Sequence, residues 1–288
     1  MRVQQNILNL PVGSWTDDSS LTLCLLDSLA ITKKLDFEDV MNRFVMWLFE
    51  NYYTPNCRAY DIGTTCWKAI ANYKKNGDWE NCGLTDERNN GNGSLMRISP
   101  IFFYLLKTYG SDSMKNPESY NVIHQTSALT HAHPRSLLGC DIYLAVMFEI
   151  WNGTEKDKIL SEALKKVNSY AETDKKIEDE FYHYDRLFMP DFAKLPEEEI
   201  SSSGYVVHTL EAALWAFLGT DSYRDCLLKA VNLGDDADTV GAVAGGLAGL
   251  YYSGEEEKGI PEEWLTKIQC RDFIDGIIEK AERVWLGN

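Results

Sequence analysis

The stretch AVNLGDDADTVGAVAGGLAGLYYSG (Ala230–Gly254) crowds Asp235, Asp236 and Asp238 into four positions and then gives up nearly every bulky side chain. Gly241, Gly245 and Gly249 recur every four residues, Ala242 and Gly246 form a second such pair, and Ala244 and Ala248 a third. Residues four apart share a helical face, so the stretch reads as a helix over 238–252 that its neighbours can approach closely. Glycine inside a helix costs about 1 kcal/mol against alanine. Four of them (Gly241, Gly245, Gly246 and Gly249) are expected only where tight packing compensates. That predicts a central, buried helix with three aspartates at its N-terminus.

One aspartate there suffices as an N-cap, and a second can complement the helix dipole. Three acids followed by Thr239 exceed that need. Buried carboxylates at such density repel each other and rise in pKa unless a cation intervenes, and all-oxygen donors suit Mg²⁺, Mn²⁺ or Ca²⁺. An EF-hand reading fails. With Asp236 as loop position 1, Gly241 falls correctly at position 6, but Leu247 occupies position 12, where a bidentate Glu is required. The loop by itself leaves capping and metal binding both open. A second cluster repeats its grammar: GSWTDDSSLTLCL places Thr16, Asp17 and Asp18 before another expected helix, which Asp18 or Ser19 would cap. Two such clusters face to face would hold one or two octahedral cations, although spacing cannot show that they meet.

Helical periodicity dominates the rest of the chain. Helices are predicted over 19–31, 36–53, 64–77, 94–109 (kinked or divided at Pro100), 120–130, 135–151, 156–170, 205–218, 222–233, 261–268 and 271–286. Period-two strand signals are weak everywhere. Segment 173–203 is charged and carries Pro190 and Pro196, so it reads as a surface excursion, with EFYHYDRLFM aromatic enough to pack. No domain boundary stands out, and a single all-α domain over 1–288 is expected.

The 288 residues carry a net charge of −16, which argues against binding to phosphate backbones. The seven cysteines (Cys24, Cys57, Cys66, Cys82, Cys140, Cys226, Cys270) are irregularly spaced and form no C-x-x-C pair. They read as mostly buried thiols of a reducing compartment, and zinc is not expected. No signal peptide or membrane-spanning stretch is visible, so a cytoplasmic, non-membrane protein is expected, and a monomer is favoured.

Two further stretches stand out. NNGNGSLMRISP (89–100) is a Gly/Asn turn opening a helix; its backbone N–H groups suit phosphate as well as a plain turn. LTHAHPRSLLGC (129–140) carries His131 and His133 before Pro134, at a spacing that does not share a helical face. Each histidine reads first as a structural hydrogen-bonding group.

Taken together, GSWTDDSSLTLCL (13–25), GNGSLMRISP (91–100), THAHPRS (130–136), SGYVVHTLEAALWAFL (203–218) and AVNLGDDADTVGAVAGGLAGLYYSG (230–254) resemble the ADP-ribosylglycohydrolase family over most of the chain. The resemblance implies an all-α, orthogonal multi-helix fold with a central cleft holding two Mg²⁺ (Mn²⁺ being the alternative). It implies metal ligands at Thr16, Asp17, Asp18, Asp236, Asp238 and Thr239, with Asp235 outside the motif. Asn92, Gly93 and Ser94 match the turn lining an ADP-ribose pocket, His131 a position near the ligand, and Gly204 and Tyr205 a loop near ribose and base. The implied reaction is hydrolysis of the C1″ glycosidic bond of an ADP-ribosylated protein or small acceptor, with Asp17 or Asp18 orienting or deprotonating the water.

One departure accompanies the resemblance. Family members usually begin with a helix carrying a G-D-A-x-G-like motif. Residues 1–14 do not match it, so that helix, and an acidic residue often near it, are expected to be missing. A catalytically impaired ADP-ribose-binding or structural relative, and a hydrolase of another ADP-ribosyl or nucleoside-like metabolite, therefore stand as alternatives.

Overall fold

The computed structural model describes residues 10–285 and 287. The expectation of a missing first helix falls on residues 1–14, of which 1–9 lie outside the described residues. In chain order the helices are α1 (Asp17–Thr32), α2 (Phe37–Glu50), α3 (Thr64–Asn76), α4 (Pro100–Tyr109), α5 (Pro117–Ala128), α6 (Pro134–Trp151), α7 (Lys156–Ala171), the single turn α8 (Lys175–Glu178), α9 (Val206–Leu218), α10 (Tyr223–Val231), α11 (Ala237–Tyr251), the single turn α12 (Glu262–Leu265) and α13 (Arg271–Trp285). The described residues contain no regular strand, only two isolated bridges, Leu84 with His131 and Gly91 with Tyr205. One residue of each bridge, His131 and Gly91, lines the cavity described below. No helix among the described residues is long and apolar enough to cross a membrane.

The punctuation works as the local chemistry dictates. Pro100 divides the segment over 94–109: a 3₁₀ turn, Leu95–Arg97, precedes it, and α4 starts on the proline, whose missing N–H is no loss in a first turn. Pro134 opens α6 in the same way, with His133 as the N-cap accepting from the Arg135 N–H at 3.2 Å. The helix expected over 261–268 is shorter than its pattern suggested. Only Glu262–Leu265 forms, with no buried residue to hold a further turn. The 173–203 excursion is not merely superficial. It coils through 3₁₀ turns that bury Tyr184, Leu187 and Phe192, and the Tyr184 hydroxyl donates to the Arg135 carbonyl at 2.7 Å.

Helix α11 packs on α6, α9, α10 and α1. Its missing side chains admit the neighbours, as expected. A Cβ at Gly241 would stand 3.0 Å from Val231 Cγ1 of α10, and one at Gly245 3.4 Å from the Tyr223 hydroxyl. Gly246 leaves room for the Tyr143 hydroxyl of α6, which donates to the Val243 carbonyl at 3.2 Å. The burial is not uniform, however: Ala242, Asp235 and Asp238 are exposed. One edge of the helix and its N-terminus open onto cavities.

Candidate active site

The start of α1 shows that its acids are not there for capping. Thr16 occupies the N-cap with extended backbone, but its side chain makes no capping bond. Its hydroxyl donates instead to Asp18 Oδ2 at 2.6 Å. Asp17 and Asp18 are 6% and 2% exposed, and Asp18 Oδ1 has no hydrogen-bond partner. The expectation that Asp18 or Ser19 would cap this helix is therefore corrected to Thr16, by position only.

The start of α11 is built likewise. Gly234 and Asp235 turn the chain through the left-handed region (φ 85° and 46°), which Gly and Asp tolerate best. Asp236 then takes the N-cap position without capping. Its Oδ2 accepts from the Asn92 side-chain amide at 2.6 Å and its Oδ1 from the Thr239 hydroxyl at 3.1 Å. Asp235 is exposed and bonds to none of these.

The two helix starts meet. Burial first, then the Asp238 carboxylate, push Asp18 up to about 7, against the hydrogen bond from Thr16 that pulls it down. Burial also holds Asp17 well above the usual carboxylate range, and Asp18, Asp61 and Asp238 add to the effect. Asp236 is raised by burial in spite of its bond from Asn92. Asp61 stands exposed at the mouth with one side against the protein; that partial desolvation and the Asp238 charge raise it to about 6. Among the described residues, none of these five carboxylates has a Lys or Arg partner.

A cavity of about 270 Å³ opens beside them, walled by Asp17, Asp61, Asn92, His131, Gly204 and Asp236 among others. Its far wall is the Gly/Asn turn. Asn92 N–H donates to the Gly204 carbonyl and Val206 N–H to the Asn90 carbonyl, both at 3.0 Å, so turn and loop form one rim. Gly93 is required there. A Cβ would stand 2.6 Å from Cys66 Sγ and 2.8 Å from His131 Cε1. Thr16, Asp18 and Asp238 face a second cavity, of about 550 Å³, which runs along Gly241, Gly245 and Gly246. The carboxylates thus form a partition between two cavities rather than the floor of one.

Among the described residues no three His, Cys, Asp or Glu side chains stand together as a finished metal site. Asp18 Oδ2 is turned to Thr16, and Asp236 to Asn92 and Thr239. The chemistry nevertheless fits a hard cation. Every donor is oxygen, and among the described residues no cationic side chain pairs with these carboxylates and Asp18 Oδ1 is buried without a partner.

Two expected pocket residues lie elsewhere. Ser94 is fully buried against Cys140 Sγ at 3.7 Å, outside the cavity lining. Tyr205 stands beyond the lining, 5.9 Å from the Arg135 guanidinium and edge-on to His208. Asp61 was missed. It sits in a left-handed turn (φ 58°) before α3, and nothing in YDIGTT distinguishes it from loop chemistry.

A family model described as ADP-ribosylglycohydrolase matches residues 2–287. The chain is 30% identical over 272 residues to the ADP-ribosylarginine hydrolase Tri1 of Serratia proteamaculans (strain 568), covering 94% of this chain and 68% of that one. It is 30% identical over 264 residues to the ADP-ribosyl-[dinitrogen reductase] glycohydrolase of Rhodospirillum rubrum, covering 92% and 76%. A solved structure titled ADP-ribosylglycohydrolase-related protein complex superposes with a TM-score of 0.72 at 28% identity, covering 96% of this chain and 84% of that one. The chain belongs to the ADP-ribosylglycohydrolase family of hydrolases.

Proposed function

We propose that the protein is a Mg²⁺- or Mn²⁺-dependent hydrolase that cleaves the C1″ glycosidic bond between ADP-ribose and a protein side chain or small acceptor. The observation that carries this reading is the meeting of uncompensated carboxylates from α1 and α11 beside a cavity walled by Asn92, Gly93 and His131. The names of the relatives, which act on ADP-ribosylarginine and on ADP-ribosyl-dinitrogen reductase, favour removal of mono-ADP-ribose.

Thr16, Asp17, Asp18, Asp236, Asp238 and Thr239 would hold the ions. When bound, they supply Lewis acidity and neutralise the crowded charge. Asp17 faces the cavity, where its carboxylate, once the cations offset the neighbouring charge, would orient or deprotonate an attacking water. The other carboxylates stabilise the positive charge that develops at an anomeric carbon during cleavage. A cavity of about 270 Å³ takes a ribose and its adjoining phosphate, so the adenosine half would lie outward across Gly204 and Tyr205. We place the protein in the cytoplasm, because Cys57 and Cys270 are exposed free thiols.

The test is release of ADP-ribose from a mono-ADP-ribosylated protein, with Mg²⁺ and with a chelator. Release that depends on the cation is expected. Tight ADP-ribose binding with no turnover in Mg²⁺ or Mn²⁺ would sink the proposal.

A further inference from the structure

Behind the cavity wall lies a cation that, among the described residues, has no counter-ion. Arg97 is fully buried, its Nε has no hydrogen-bond partner, and among the described residues it forms no ion pair. Its surroundings are the thiols of Cys24, Cys66, Cys82 and Cys140 and the Phe44 ring, whose centroid is 4.9 Å from the guanidinium carbon. Burying a guanidinium without a carboxylate is costly, and its hydrogen bonds show where it acts. Both terminal nitrogens reach the Thr126 carbonyl at 3.4 Å, and Nη2 donates to Thr130 Oγ1 at 2.7 Å.

Thr130 Oγ1 is in turn 2.8 Å from His131 Nδ1. Arginine only donates, so the Thr130 oxygen accepts from Arg97 and its single proton is free for Nδ1. The opposite arrangement would put the proton on Nδ1 and turn the Thr130 hydroxyl to the Cys66 sulfur, a weak acceptor. A neutral imidazole that accepts at Nδ1 carries its proton on Nε2. Burial first, and the Arg97 charge second, hold His131 down to about 3, so the ring is neutral at physiological pH. Its Nε2 edge faces the turn: Cβ atoms built on Gly91 and Gly93 would stand 3.5 and 3.4 Å from Nε2.

We propose that Arg97 is a positioning residue that acts through Thr130 to fix His131 as the Nε2–H tautomer, presenting a hydrogen-bond donor to an acceptor oxygen of the cavity's ligand. Given the functional reading above, on which this last step rests, that oxygen is a hydroxyl or phosphate oxygen of ADP-ribose.

The test uses the full chain labelled with ¹⁵N-histidine and long-range ¹H–¹⁵N spectra at neutral pH without ligand. A His131→Gln variant assigns His131 among the five histidines. The expected result is a protonated Nε2 and a bare Nδ1. Thr130→Val should mix the tautomers and weaken ADP-ribose binding about tenfold, the worth of one hydrogen bond, while Thr130→Ser restores both. A proton on Nδ1 in the wild type, or an unchanged tautomer in Thr130→Val, overturns the proposal. Because the spectra need no ligand, they decide the relay alone. Failure of the wild type to bind ADP-ribose would count against the functional reading and leave the tautomer result intact.

Discussion

The Asn92 side-chain amide donates to Asp236 Oδ2 at 2.6 Å across 144 residues of sequence, and also to the Thr209 hydroxyl at 2.9 Å. One amide therefore ties the Gly/Asn turn, the start of α9 and the start of α11 into a single wall. A neutral donor satisfies one carboxylate oxygen there without neutralising its charge, which leaves the charge available to a cation.

Asn92→Ala removes that tie. The expected outcome is ADP-ribose affinity lowered about tenfold, the scale of one hydrogen bond to a charged group, with metal binding retained. Calorimetric titration with each ligand checks it, and unchanged ADP-ribose affinity would remove the turn from the pocket.

Asp236→Asn and Asp238→Asn each take one charge from the partition. Neither aspartate side chain caps α11, and Asp238 is exposed. Circular dichroism should therefore stay near wild type while turnover is lost and Mg²⁺ binding weakens. Wild-type metal affinity in both variants would defeat the ligand assignment.

Asp18 makes metal-free stability depend on pH. Its folded value of about 7 lies above the ordinary 3.8, so the folded state holds the proton more tightly than the unfolded chain. The sign follows: stability is fullest below about 4, falls as pH rises toward about 7 at up to about 1.4 kcal/mol per unit, and then levels off. In chelator, Asp18→Asn should diminish that slope, to which Asp17, Asp61 and Asp236 also contribute, and raise stability at pH ~8 by on the order of 2 kcal/mol. Millimolar Mg²⁺ should stabilise the wild type and not the variant. Urea titrations across pH measure both, and an undiminished slope in Asp18→Asn speaks against the crowded-carboxylate account.

Gly246→Ala tests why α11 is so poor in side chains. The new methyl would overlap the Tyr143 hydroxyl, which is buried and bonded to Val243. Overpacking of this kind costs about 1–3 kcal/mol, readable as a lowered urea midpoint. Adding Tyr143→Phe should recover part of the loss; no loss in the single variant would mean that close packing does not explain this glycine.

Much of the architecture is legible in the chain because it is local. The three-and-four spacing of apolar residues places the major helices, Pro134 marks a helix start, Pro100 marks a break in the 94–109 segment, and the glycine stripe foretells close neighbours for α11. The pattern over 261–268 misled because periodicity reports a helical tendency, whereas a lasting helix needs a partner surface that α12 lacks. Thr16, Asp17, Asp18, Asp236, Asp238 and Thr239 were legible as candidates, since acids exceeding the needs of a cap stand out in one dimension.

By itself, then, the sequence determined the helices, their punctuation, and which short stretches carry excess charge or too little bulk. Tertiary structure alone decided that Asp18 looks onto Asp238, that exposed Asp61 joins them, that Ser94 turns into the core, and that Arg97 reaches His131 through Thr130. The reason is the range of the forces. Helix geometry and capping act over a few adjacent residues, but a carboxylate's field and a hydrogen bond depend on distance in space, which exists only after the helices have packed.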